Sequence, residues 1–341
     1  EHPESPLILQ TAIQVARAQG DLRKSAEHGL CLIKLAPEKI AGVQCASRDL
    51  LKLQQFNKCL QTINTGLKKH PNNLSLLTVG IEAARATNNT SQILQFAQQL
   101  IKAHPSNPTG FTRLAQTFLQ TNNIKPALDT INEGLSKHPD NHLLLQLGIE
   151  ASQLSRNFIQ SLDFSKCYIR LEPDDPIGYR TAAGNLIDLE RYAEAQNFIN
   201  EGLTKQPENI LLLQLGIEAS RGRNDITGAI NFGKKLILTA PEEKSGYINT
   251  ARDLAEAGKI KEAENIIKAS CRVSPNNQET IHSARDFYRD IGHRKKSLQL
   301  SRELCSTFGN TNANLLEEAS DLFALGRLSD PRLRNLPETI I

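Results

Sequence analysis

The sequence predicts an all-α fold, an array of antiparallel helix pairs, and two observations carry that prediction. The first is a ladder of prolines. Pro3, Pro37, Pro71, Pro105, Pro139, Pro173, Pro207, Pro241 and Pro275 follow one another in equal steps of 34, and they are nine of the fifteen prolines in the chain. The next rung, Gly309, is another helix terminator. The second is apolar periodicity within each step.

The step that begins at Pro176 shows the pattern. Tyr179, Ala182, Ala183 and Leu186 fall at i, i+3, i+4 and i+7, one apolar face of a first helix. Glu190 and Arg191 mark a turn. Tyr192, Ala195, Ile199, Gly202 and Leu203 make the apolar face of a second helix. Pro207 ends it, because proline lacks an N–H and disfavours helix in the residue before it. Asn, Asp, Ser or Glu follow each ladder proline. Asn, Asp and Ser can cap the next helix, and carboxylates there favour its positive end.

Composition limits the function classes. Of the 341 residues, 39% are hydrophobic and 23% charged, so the chain belongs with folded proteins. A net charge of +3 argues against a dedicated nucleic-acid binder. The six cysteines form no C-x-x-C pair, which leaves no zinc or redox spacing and points to a reducing, cytoplasmic setting. No apolar run approaches the roughly 20 residues of a membrane span. The first residues, EHPESPLILQ, lack the basic start and apolar core of a signal peptide. With no Met anywhere, and with EHPES matching the KHPDN that ends other steps, the chain reads as a fragment or processed form of an array that continues upstream.

At this point the chain resembles the tetratricopeptide repeat (TPR) family. Position 4 of the step reads Leu9, Val43, Leu77, Phe111, Leu145, Tyr179, Leu213, Tyr247 and Ile281, where that family has a large residue. Position 20 reads Ser25, Cys59, Ile93, Ala127, Ser161, Ala195, Ala229, Ala263 and Ser297, where it has a small one. The resemblance covers residues 1–326. Nine full units start at 6, 40, 74, 108, 142, 176, 210, 244 and 278, and a partial tenth starts at 312. Residues 1–5 read as the end of an upstream unit and 327–341 as a C-terminal cap or linker. The resemblance implies a right-handed superhelical solenoid whose first helices line a concave groove through positions 2, 5, 9, 12 and 13. Some family members hold acidic chaperone tails with Lys at position 5 and Asn at position 9. Here those positions are mostly Gln, Thr or Arg and Gln, Arg or Glu, so that clamp is absent.

A longer rhythm overlies the first. LLLQLGIEAS occurs at 143–152 and again at 211–220, an offset of 68, so the unit of duplication is a pair of repeats. These units carry Ile149 and Ile217 at position 8, where the family prefers a small residue. A one-residue shift would instead align Leu215-Gly216 with the family's Leu-Gly. Both registers stay open at the level of sequence.

Several apparent motifs carry no chemistry. Gly228–Lys235 matches most of a phosphate-binding loop, but its last residue is Lys and the repeat places it inside a second helix, where no free N–H groups are offered. His70, His104 and His138 precede ladder prolines, at helix ends that favour a cation. Their copies are expected about 10 Å apart, too far to share a metal. Cys31, Cys45 and Cys59 are expected in the core. No catalytic, metal or cofactor site can be nominated.

What remains is a polar stripe on the first helices. The helical wheel gathers Gln44 and Arg48; Thr78, Glu82 and Arg85; Gln116; Gln146, Glu150 and Gln153; Arg180; Gln214, Glu218 and Arg221; and Arg252 on the side away from the apolar arc. Such a stripe is either a solvated face or a groove for a peptide or protein segment. An open solenoid offers extended concave surface, so the whole is expected to be a non-catalytic interaction scaffold with a protein or peptide ligand in its groove. A second reading makes the array the substrate-recognition region of a larger enzyme, such as a glycosyl- or sulfotransferase. A third, RNA binding, is disfavoured by the balanced charge.

Overall fold

The computed structural model describes residues 5–327 and 329–335. Nineteen α-helices and one 3-10 turn, with no strand, are formed by the described residues. The all-α class and the consecutive antiparallel pairing are those the sequence predicts. The chain divides into two compact units, Glu1–Glu172 and Pro173–Ile341. The first holds α1 (Pro6–Ala18), α2 (Leu22–Leu35), α3 (Ile40–Lys52), α4 (Phe56–Lys69), α5 (Leu74–Ala86), α6 (Thr90–Ala103), α7 (Thr109–Gln120), α8 (Ile124–Lys137), α9 (His142–Leu154) and α10 (Phe158–Leu171). The second holds α11 (Pro176–Asp188), α12 (Tyr192–Lys205), α13 (Ile210–Gly222), α14 (Ile226–Thr239), α15 (Lys244–Glu256), α16 (Ile260–Val273), α17 (Gln278–Asp290), α18 (Arg294–Phe308), α19 (Asn312–Ala324) and the 3-10 turn Pro331–Asn335. Residues 1–4, 328 and 336–341, on which part of the upstream-unit and cap-or-linker readings falls, lie outside the described residues.

Local chemistry starts and stops each helix. Asn73, Asn141, Asn209 and Asn277 recur at every second step, and each side chain accepts a backbone N–H one turn on, from Leu76, Leu144, Leu212 and Thr280. Every first helix ends on a left-handed residue at position 15. Gly20, Gln54, Asn88, Asn122, Arg156, Glu190, Asn224, Gly258, Gly292 and Gly326 have φ between 52° and 76°. The bonding is that of a Schellman end: Asn89 N–H reaches Ala84 O at 2.8 Å, and Asn88 N–H reaches Arg85 O at 3.0 Å. Glycine adopts this φ freely, whereas Gln, Arg and Glu do so at a cost of about 1–2 kcal/mol that the packed helices must offset.

The core lies between first and second helices. Val43, Cys59, Ile63, Leu76, Leu77, Ile81, Phe96 and Leu100 belong to one buried cluster in the first unit. Ala251, Leu254, Ile267, Ala284 and Phe287 belong to one in the second. The register left open by sequence is settled by a contact. α5, α9 and α13 keep the same step as their neighbours. Ile81, Ile149 and Ile217 are buried at position 8, and the small residue the packing needs is the glycine before each. A Cβ on Gly148 would come within 2.9 Å of the Phe164 ring. Gly80 and Gly216 face Phe96 and Phe232 in the same way.

The cysteines separate. Cys59 is in the core and donates to Ser47 O. Burial, followed by the charge of Glu82, pushes its thiol up to about 12. Cys45 is half-buried, and Cys31 is exposed, contrary to the core role expected for it. Cys31 lies about 200° around α2 from buried Gly29, which turns it away from the packed face. Gly228–Lys235 lies inside α14, and its Lys234 pairs with Glu262. His70, His104 and His138 each cap a second helix at its C-terminal end. The His104 and His138 rings bond the carbonyls of Asn72 and Pro105 in the preceding turns. Among the described residues no group of three or more His, Cys, Asp or Glu could hold a metal ion, and no helix is long and apolar enough to cross a membrane.

Candidate functional site

The first helices present one face to solvent, and all fourteen stripe residues lie on it, exposed or half-buried. Most of the apolar positions between them are core. In α9, Leu144, Leu145, Leu147, Ile149 and Ala151 are buried while Glu150 and Gln153 stand out. The stripe is less polar than the wheel suggests. Leu143 and Leu154 in α9 and Leu211 in α13 are exposed at positions 2 and 13.

The stripe residues divide into committed and free side chains. In the first unit, Gln44 donates to Asn73 Oδ1, Arg48 to Ser75 Oγ and Gln146 to the Tyr168 hydroxyl. The Thr78 hydroxyl turns back to Leu74 O, and Gln116 accepts from Arg113. Glu82, Arg85, Glu150 and Gln153 form no hydrogen bond or ion pair among the described residues. In the second unit Arg180, Gln214 and Glu218 are equally free. Arg252 stands 3.9 Å from Asp290, a loose exposed pair.

Arg221 is the most committed. It grips Asp253 with two N–H groups, at 2.8 and 2.9 Å, and donates a third bond to Asn249 O. The same clasp occurs at two other places. Arg17 grips Asp49 and donates to Cys45 O. Arg289 grips Asp321 and Glu317 and donates to Glu317 O. In each clasp an Arg at position 12 of one first helix meets an Asp at position 10 of the next. The aspartates are between 0% and 4% exposed. Their remaining lone pairs are used where a serine is near: Ser25 donates to Asp49, and Ser297 and Ser301 donate to Asp321. Burial alone would raise the Asp321 pKa, but the bonds from Arg289, Ser301 and Ser297 outweigh it and hold the carboxyl below the ordinary range. Sequence reasoning missed these aspartates. Their signal is an Arg at position 12 of one step followed by an Asp at position 10 of the next.

At α5 and α7 the clasp is absent. Arg85 occupies position 12, but position 10 of α7 is Thr117. A cleft of about 570 Å³ opens here, lined by Glu82, Arg85, Asn88, Ile93, Thr117 and Gln120 among others.

Paired helices repeated at this step, with a solvent-facing stripe on the first helix of each, define a helical-repeat protein of the tetratricopeptide kind. This chain is a tetratricopeptide-repeat-like protein. Residues 14–147, less than half of the chain, match a family model described as ChAPs (Chs5p-Arf1p-binding proteins). Among solved structures, the C-terminal part of a TPR repeat-containing protein from Cytophaga hutchinsonii is similar with a TM-score of 0.56 at 14% identity, over 70% of this chain and 97% of that one. A tetratricopeptide repeat protein from Parabacteroides merdae matches with a TM-score of 0.46 at 15% identity, over 73% and 98%. YrrB, described as a TPR protein with an unusual peptide-binding site, matches with a TM-score of 0.46 at 11% identity, over 55% and 96%. At such identities the likeness concerns the fold alone. No curated protein matches the sequence.

Proposed function

We propose that this protein is a non-catalytic interaction scaffold whose first-helix stripe binds a protein or peptide segment. One observation carries the reading: Glu82, Glu150 and Glu218 recur as free, exposed carboxylates on every second first helix, α5, α9 and α13, and the exposed leucines Leu143, Leu154 and Leu211 lie on two of those helices. Free donors and acceptors fix the register of a ligand, and exposed leucines supply the apolar area that gives affinity. The likeness of residues 14–147 to proteins described as Chs5p-Arf1p-binding supports a protein partner. The free thiols suit a reducing, cytoplasmic location.

The test reverses charge at the three periodic carboxylates. Replacing Glu82, Glu150 and Glu218 together by Lys should abolish capture of the partner by affinity purification from source lysate, with helicity by circular dichroism unchanged. Capture that persists undiminished overturns the groove assignment.

A further inference from the structure

We propose that the cleft between α5 and α7 is a binding site for a carboxylate of an acidic peptide segment, which takes beside Arg85 the place that an internal aspartate holds in the three clasps. The inference rests on the reading of the first-helix stripe as a binding face and names the chemistry one part of it selects.

The chain itself shows what a carboxylate does in this position. Asp49, Asp253 and Asp321 are each taken up almost wholly from solvent and gripped by an arginine at position 12. In all three the same arginine also donates to the carbonyl of position 6 on the facing helix, Cys45, Asn249 or Glu317. At α5 and α7 both acceptors are withdrawn. Thr117 stands in place of the aspartate, and its hydroxyl donates to Arg113 O at 2.7 Å, the carbonyl an arginine would otherwise use. Arg85 is exposed and makes no hydrogen bond or ion pair among the described residues.

The charge balance is shifted the same way. Position 6 of α7 is Arg113, where α19 has Glu317. Arg113 is half-buried, and among the described residues its side chain bonds only Gln116. Burial, then the like charge of Arg85, lowers its pKa, and the carboxylate of Glu82 opposes them. Two guanidinium groups thus share one carboxylate, and Glu82 forms no ion pair with either. An arriving anion relieves that repulsion and satisfies the Arg85 fork. A planar carboxylate fits a fork bidentately, as Asp49 and Asp253 do on Arg17 and Arg221, and Glu82 in the lining penalises a doubly charged group.

The experiment uses the full chain and fluorescence anisotropy with three labelled peptides: hexaglutamate with an amidated end, hexaglutamine with a free C-terminal carboxylate, and amidated hexaglutamine. The wild type should bind one or both carboxylate peptides and not the third, and the first two arms tell a side-chain carboxylate from a chain terminus. Thr117→Asp installs the internal partner and should weaken binding by about tenfold or more, the worth of one lost charged bond. Arg85→Gln should do the same. Thr117→Asn, equal in size to Asp but neutral, should bind as the wild type does. Binding to Thr117→Asp at wild-type strength, an equal loss with Thr117→Asn, or no binding of either carboxylate peptide by the wild type overturns the proposal. A chain that ignores these peptides but still loses partner capture with the triple lysine variant loses this inference alone. A chain that binds them as expected but keeps capture in that variant loses the wider groove assignment alone.

Discussion

Arg85 and Arg289 occupy the same position of the same helix type, one in each compact unit, and they have opposite fates. Arg289 meets Glu317 and Asp321 on the next first helix and is tied down by both. Arg85 meets Arg113 and Thr117 and is left in a cleft. The arginine decides nothing by itself. In a repeat array each first helix is read against the next, and the residue at position 10 of the following step determines whether a side chain is structure or surface.

Removing the carboxylate from the closed clasp tests that contrast most severely. Asp321→Asn should cost about 3 kcal/mol in urea unfolding near neutral pH, since it strips a buried partner from Arg289 and two serines. The pH dependence has a defined sign. The folded-state pKa of Asp321 is held below its ordinary value of 3.8, so the stabilisation is fully present above that value and is lost as pH falls through the folded pKa. The stability gap between wild type and Asp321→Asn should therefore shrink below about pH 3.8. Asp49→Asn should cost less, about 2 kcal/mol by the same measurement, because only one arginine and one serine hold that carboxylate. At the other extreme, Arg85→Ala should change unfolding free energy by no more than about 0.5 kcal/mol, as for a surface side chain without partners. A large loss there would show that the open cleft is held together by Arg85 after all.

The sequence made the architecture legible because its punctuation is local. Prolines and capping asparagines act within a turn of where they stand, and a constant step repeats the message often enough to be unmistakable. The stripe was legible for the same reason, since a helical wheel needs only one helix. What the wheel could not show is which members are spoken for. Arg221 and Gln146 looked alike as solvent-facing groups, yet one grips Asp253 and the other reaches Tyr168. Those partners lie on other helices, and their identity depends on how helices face each other. Leu143, Leu154 and Leu211 were missed for the converse reason, because a polar stripe is picked out by its polar residues alone and passes over exposed apolar ones beside it. The Ile-for-small substitution at position 8 was ambiguous until the glycine before it was seen against a phenylalanine ring.

The turn at position 15 has a consequence of a different kind. Ten turns hold one backbone conformation across five residue types. Side-chain drift there is tolerated, but a change of length is not. Deleting one residue would rotate the following helix by about 100° and carry its apolar face out of the core. Substitutions in these corners, or the gain and loss of whole repeats, therefore leave the helices in register, whereas a single-residue insertion or deletion there should destabilise the repeat that follows.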